Sequence, residues 1–483
     1  MTSVAPDGRP ELRGAWIDTP RQAKARRQQK TREARDRKRN TRNTSILSFF
    51  FISAIVALLA GLAIAMQVTT YDIWGGLLVA PILLVLTLPL ASRAARKEND
   101  PATGQLILVA LLVKLAIGTP LRFYQTFYLY KTADATGYMN AGTLLIDQFR
   151  RLDFANLGGL VGTRFIEIVT GVVLAVIDVS RFGAFVVFSW MGFLGLYCFY
   201  QAFRIAFPEG DHRRYRLLLF FWPSLLFWPS SVGKDAWMLM MLGMCALGVA
   251  QLLVGRIRGG FWLGAGVLGC VMVRPHLALL IVAGFLPALV LRRNRGAHAR
   301  FFARPAGTAV LMLGMLLVGA MVFAQAQSFF KLDNLDLESA QEVLNSTSQQ
   351  TSEGGSQYTP SDPSTPTGYA QSAVTVLFRP FPFELGGAGA IAGIEGVLLF
   401  GLVVGSWRRL VRVPKLILQN AFVAFAVAYC FAFIYAFAAI SNFGILARER
   451  AQLFPLLFVL LAIPKSASSR TEDEDEAAPA IAV

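Results

Sequence analysis

Runs of about 18 to 25 residues with almost no charge recur along this chain, and each is long enough to cross a hydrocarbon core of roughly 30 Å as one helix. In hydrocarbon no water completes a backbone hydrogen bond, so only helices and closed barrels span a bilayer. A barrel would show alternating segments of about ten residues, and these runs are continuously apolar. The composition agrees. Of 483 residues 55% are hydrophobic and 16% charged, and the mean hydropathy is +0.51, far from the roughly 25% charged content of soluble domains. The expected fold class is all-α, a polytopic transmembrane bundle of about twelve helices.

Helices are expected near 46–66, 73–91, 103–121, 183–203, 216–232, 235–254, 259–273, 277–291, 308–325, 388–406, 416–440 and 449–463. This arrangement leaves both termini inside the cell. It also places Arg93, Arg96 and Lys97, the group Arg204 to Arg216, Arg256 and Arg258, Arg292 to Arg295, and Arg408 to Lys415 on the cytoplasmic side, as the positive-inside bias requires. Segment 161–179 is apolar but carries Arg164, Glu167 and Asp178, and counting it as a span would reverse every later loop. It is expected as an interfacial helix on the outer surface.

Three regions follow: a basic tail over 1–45, a multi-pass domain over 46–464, and an acidic tail over 465–483. The first tail contains RQAKARRQQK and REARDRKRNTR, too charged to bury a core, and is expected to be disordered or lipid-associated. Two outer loops are long, about 122–182 and 326–387. The second passes through NSTSQQTSEGGSQYTPSDPSTPTG, whose lack of any apolar period suggests a linker in preference to a lid.

The formal charge of +16 lies largely in the first tail and in loops beside the membrane, so lipid and topology explain it and nucleic acid is not an expected partner. Cys198, Cys245, Cys270 and Cys430 fall inside apolar stretches with no close pair, which indicates neither a disulfide framework nor a thiolate metal site. His212, His276 and His298 show no HxxxH spacing. No cofactor is implied, and the use of a divalent metal is left open.

Ionisable residues at the ends of the apolar stretches carry the functional reading. Asp134 with Tyr138, Lys234 with Asp235, Arg274 with His276, Arg379 with Glu384, and Arg448 with Arg450 all fall on the outer side, against the usual charge bias. Asp134 is suited to take a proton from an acceptor hydroxyl, although a helix N-cap explains it equally. Lys234 is free to reach a phosphate while Asp235 caps a helix, although a simple cap-and-anchor pair explains both equally. Arg274 sits in a turn between two short helices, where a lone buried cation would cost a few kcal/mol. Glu395, about two turns inside its helix, should face the bundle and meet an arginine or substrate. Arg448 and Arg450 read as a phosphate-binding fork or as headgroup anchors. Lys114, inside the third helix, is read as structural, with a stem long enough to snorkel outward. The GxxxG spacings at Gly260–Gly264 and Gly389–Gly393 suggest close helix packing.

The acid–tyrosine pair Asp134 and Tyr138 in the first outer loop, the interfacial helix, the hairpin WPSSVGKDAW and the terminal GILARERAQLFP together resemble the GT-C superfamily of polytopic membrane glycosyltransferases over most of residues 103–463. The resemblance implies transfer of a sugar from a polyprenyl-phosphate carrier to a glycan, lipid or protein acceptor at the non-cytoplasmic face, within cell-envelope polysaccharide biosynthesis. It makes Asp134 the catalytic base and Lys234, Arg448 and Arg450 phosphate ligands, with Tyr138, Asp235, Arg274, His276, Arg379, Glu384 and Glu395 as further substrate-binding candidates. TADATGY lacks the adjacent second carboxylate of some relatives. Two other readings compete. A polymerase or ligase would move a whole oligosaccharide from a lipid diphosphate. A lipid-linked sugar transporter would gather charges near the midplane rather than at one face, and no internal repeat supports it.

Overall fold

The computed structural model describes residues 55–130, 134–292, 356–384 and 389–464, together with isolated positions at 52, 53 and between 312 and 352. Both tails and most of the helix expected over 308–325 lie outside the described residues. The described chain is helical, with one isolated β-bridge between Gln357 and Asn442.

In chain order the elements are α1 (Ile55–Val68), α2 (Tyr71–Glu98), α3 (Pro101–Leu129), α4 (Asp134–Thr143), α5 (Ile146–Arg150), α6 (Thr163–Ile177), α7 (Arg181–Ala206), α8 (His212–Phe221), α9 (Pro223–Phe227) and α10 (Lys234–Leu253). There follow α11 (Gly259–Val273), α12 (Pro275–Val290), α13 (Pro366–Phe378), α14 (Gly389–Gly405), α15 (Trp407–Leu410), α16 (Val413–Ile417), α17 (Ala421–Phe437), α18 (Phe443–Glu449) and α19 (Phe454–Leu461). Among the described residues α2, α3, α7 and α10 are long and apolar enough to cross a membrane, and α15–α16 with α17 adds a fifth span if that bent pair is one. The shorter apolar helices α1, α11, α12 and 392–405 account for other expected spans, so twelve crossings do not emerge from the described structure.

Contacts fix the direction of each helix. α2 and α7 run parallel: Tyr71 donates to the carbonyl of Ile177, Trp190 to Thr87 at 2.9 Å and Tyr197 to the carbonyl of Leu90 at 3.1 Å. α7 and α10 also run parallel and meet backbone to backbone, since a Cβ added at Gly195 would lie 2.3 Å from the carbonyl oxygen of Leu239. α3 returns against α2, with Gly104 against Ala91 near one end and, near the other, Phe123 against Phe182 of α7, which itself sits on Gly76 of α2. α11 returns against α10, and α17 against α12. The bundle therefore has two ends. At one, α3 stops and α10 and α12 begin. At the other, α2, α7 and α10 stop.

Several expectations are corrected. The helix expected over 216–232 breaks between α8 and α9, where Pro223 lacks the N–H that would continue the ladder. The span expected over 416–440 begins only at Ala421, after a 110° bend from α15–α16. α3 continues to Leu129 through two π-helical stretches, Lys114–Gly118 and Gln125–Tyr130, so the first loop starts later than expected. Lys114 does not snorkel: it is fully buried and donates to the carbonyls of Leu225 at 2.9 Å and Leu226 at 3.3 Å. Gly260 and Gly264 face open space within the chain, while Gly259 and Gly266 make the close approaches to α10. Part of the expected linker is structured, because Tyr358 donates its amide to the carbonyl of Ser441 and Phe443 donates to that of Ser356.

Candidate functional site

Residues 229–235 form the turn into α10, and their shape is set by Gly233, whose φ of 152° is a backbone that residues with a Cβ avoid. A Cβ on Gly233 would meet the ring of Tyr138 at 3.4 Å, an ordinary van der Waals distance, so the backbone conformation and not the space requires glycine here. Lys234 and Asp235 are then the first two residues of α10, about 100° apart around its axis. Lys234 donates to the hydroxyl of Thr163 at 3.1 Å, at the start of α6, while Asp235 turns into the bundle and is 5% exposed.

Arg274 closes α11 and opens α12, a position that brings its side chain alongside the start of α10. Its guanidinium bonds the carboxylate of Glu449 and lies 4.0 Å from Asp235. Gln452 donates to the same Glu449 at 2.8 Å. Arg448 on α18 donates through Nε to Asp235 at 2.5 Å and through Nη1 to Asp134 at 3.4 Å. Burial opposes the charge of Arg448, but Asp235, Glu449 and Asp134 outweigh it and hold its pKa above the ordinary arginine value. Asp134, the first helical residue of α4, keeps 63% of its side chain exposed.

The cluster thus contains three cations, Lys234, Arg274 and Arg448, and three carboxylates, Asp134, Asp235 and Glu449. Tyr138 packs beside it, 4% exposed, and burial followed by the charge of Asp134 pushes its phenol up to about 12. Its hydroxyl is therefore a proton donor at neutral pH. Among the described residues no group of three or more His, Cys, Asp or Glu is placed to hold a metal ion.

The remaining candidates stand elsewhere. Arg450 was expected to share a fork with Arg448, but the two are only two positions apart across the junction of α18 with the 3-10 helix Arg450–Gln452, about half a turn around the axis, so they point to opposite sides. Arg450 is fully buried, donates to the carbonyls of Leu377 and Arg379 at 2.9 Å each, and lies 3.7 Å from Glu395. Glu395 faces the bundle, accepting from the amide of Ser224 at 2.8 Å and from its hydroxyl. Arg379 pairs with Glu384, Nε to Oε1 2.9 Å, and lies over the stacked rings of Tyr358 and Phe443. These four form a supporting layer behind α18. His276, on the first turn of α12, has its ring 6.2 Å from that of Phe437.

Glu449, Gln452 and Thr163 were not anticipated as members. Glu449 had a signal in the sequence, an acid between two outer-side arginines, but its partner Arg274 lies 175 positions earlier. No family model, no curated protein sequence and no solved structure matches the chain.

Proposed function

We propose that the chain is a membrane glycosyltransferase of the GT-C kind, which moves a sugar from a polyprenyl-phosphate carrier to a glycan, lipid or protein acceptor on the non-cytoplasmic side. The observation that carries this reading is the exposed carboxylate of Asp134 resting 3.4 Å from the guanidinium of Arg448, within one cluster with Lys234 and Arg274. A general base and phosphate ligands stand at one end of an apolar bundle, where a lipid-borne substrate would arrive.

The charge balance suggests how the site would fill. Lys234 meets only the Thr163 hydroxyl and is open to an incoming phosphate, whereas at Arg448 the phosphate must displace a carboxylate. Asp134 is the one that yields, since its contact is long and exposed while Asp235 and Glu449 are buried. Displacement frees Arg448 for the phosphate and Asp134 for the acceptor hydroxyl in one event. Asp134 then takes the hydroxyl proton, the oxygen attacks the anomeric carbon, and the bond from that carbon to the phosphate oxygen breaks. The departing polyprenyl phosphate keeps the electron pair, stabilised by Lys234 and Arg448, and the anomeric centre inverts.

Sugar transfer in membrane vesicles from radiolabelled polyprenyl-phosphate sugars tests this. Asp134→Asn should lower the rate by about 10² to 10⁴-fold, the usual contribution of a general base, and Arg448→Ala should also abolish transfer at matched folded protein. Undiminished transfer in Asp134→Asn would remove the base and move weight to a polymerase or ligase acting on a lipid diphosphate.

A further inference from the structure

At the end of the bundle opposite the site, α14 gives way to α15–α16, which lies across the bundle at 110° to α17. An element nearly perpendicular to a spanning helix, at the level where the spans stop, runs roughly in the membrane plane. The position is fixed by long-range bonds from its inner side. Arg409 pairs with Asp211 at 2.9 Å and donates to the carbonyl of Ile463, Arg412 donates to that of Pro464 at 2.5 Å, and Arg214 reaches Ser406 at 2.5 Å. Asn420 ties the end of the elbow to the carbonyl of Ala206, the last residue of α7, at 3.0 Å.

The outer side has a different character. Trp407, Val411 and Leu418 are 58%, 66% and 55% exposed and fall at i, i+4 and i+11, within about 40° of one another around a helix. Arg408 and Lys415 are also exposed, about a quarter-turn to the flank of that stripe. Residues 406–420 contain four cations and no Asp or Glu. An apolar stripe led by tryptophan and bordered by cations matches the boundary between acyl chains and anionic headgroups. A second copy of this face would bring like charges together, which argues against self-association through it.

We propose that α15–α16 is an interfacial anchor that binds the headgroups of anionic phospholipids, with Trp407, Val411 and Leu418 entering the acyl boundary and Arg408 and Lys415 meeting phosphates. The inference does not depend on the transferase reading. Arg409 and Arg412 are structural and lie outside the binding face.

The test uses the full chain in phosphatidylcholine nanodiscs doped with brominated phosphatidylglycerol or, separately, brominated phosphatidylcholine. The fluorescence difference between the parent and Trp407→Phe isolates Trp407. Brominated phosphatidylglycerol should quench it more than the same fraction of brominated phosphatidylcholine. Arg408→Gln and Lys415→Gln should each reduce that preference by roughly fivefold, the usual contribution of one cation beside an anionic surface. The charge-preserving pair Arg408→Lys and Lys415→Arg should retain it, which separates loss of charge from loss of fold. Equal quenching by the two lipids in the parent would overturn headgroup binding. Absence of quenching, with a dimer seen by mass photometry, would show the face covered by a second copy and overturn the proposal as a whole.

Discussion

Arg379 and Glu384 illustrate how one ion pair serves the site without entering it. Burial works against the Glu384 carboxylate, but hydrogen bonds from Arg379 and the amide of Phe381, with the charge of Arg379, hold its pKa below the ordinary value. A carboxyl with a lower pKa in the folded state contributes stability that is complete above the unfolded value of about 4.5 and is lost as pH falls through the folded value. The melting-temperature difference between the parent and Glu384→Gln should therefore be constant near neutrality and shrink below pH 4.5; a difference that grew on acidification would contradict this pairing. The sequence had put an acid and an arginine five residues apart, and the prolines between them explain the return. It gave no hint that the guanidinium would cover the Tyr358–Phe443 stack, because those rings come from segments 85 residues apart.

At the scale of elements, close packing is decided by register rather than by the presence of glycine. Gly195 and Gly243 meet at the α7–α10 crossing, where a Cβ on either would lie 2.3 Å from a carbonyl oxygen of the other helix. Backbone cannot move aside as a side chain can, so Gly195→Ala should destabilise the protein by about 1 to 3 kcal/mol, the range for overpacking. Gly260→Ala meets nothing within 4 Å and should leave the melting temperature unchanged or slightly raised. Thermal unfolding of the two variants in the same detergent distinguishes these outcomes. The GxxxG spacing at Gly260 pointed to the wrong residues for a physical reason: spacing identifies a helix face, not which neighbour that face meets. The five-residue α9 makes a related case. Lys114 donates to its C-terminal carbonyls and the carboxylate of Glu395 accepts from an N-terminal amide, so buried side chains cap both ends of a helix too short to stand alone.

For the whole molecule, the decisive geometry is polarity. The Asp134–Arg448 cluster occupies one end, and the Asp211–Arg409 pair with the α15–α16 elbow occupies the other. If the cation-rich end faces the cytoplasm, an impermeant maleimide applied to intact cells should label Asp153→Cys and should reach Gln419→Cys only after permeabilisation. The reverse pattern would put the cluster inside the cell and remove the basis for an outer-face transfer. Local composition settled a good deal unaided: the all-helical class, the starts of the long apolar helices to within a few residues, and several of the polar residues that gather at one end. These depend on apolar run length and on the cost of leaving backbone polar groups unpaired in hydrocarbon. Only the tertiary structure decided that Arg448 meets Asp235, 213 positions away, that Arg274 meets Glu449, and that Arg450 turns from both. Those choices follow from helical phase and from which helices pack together, and both are properties of the assembled bundle.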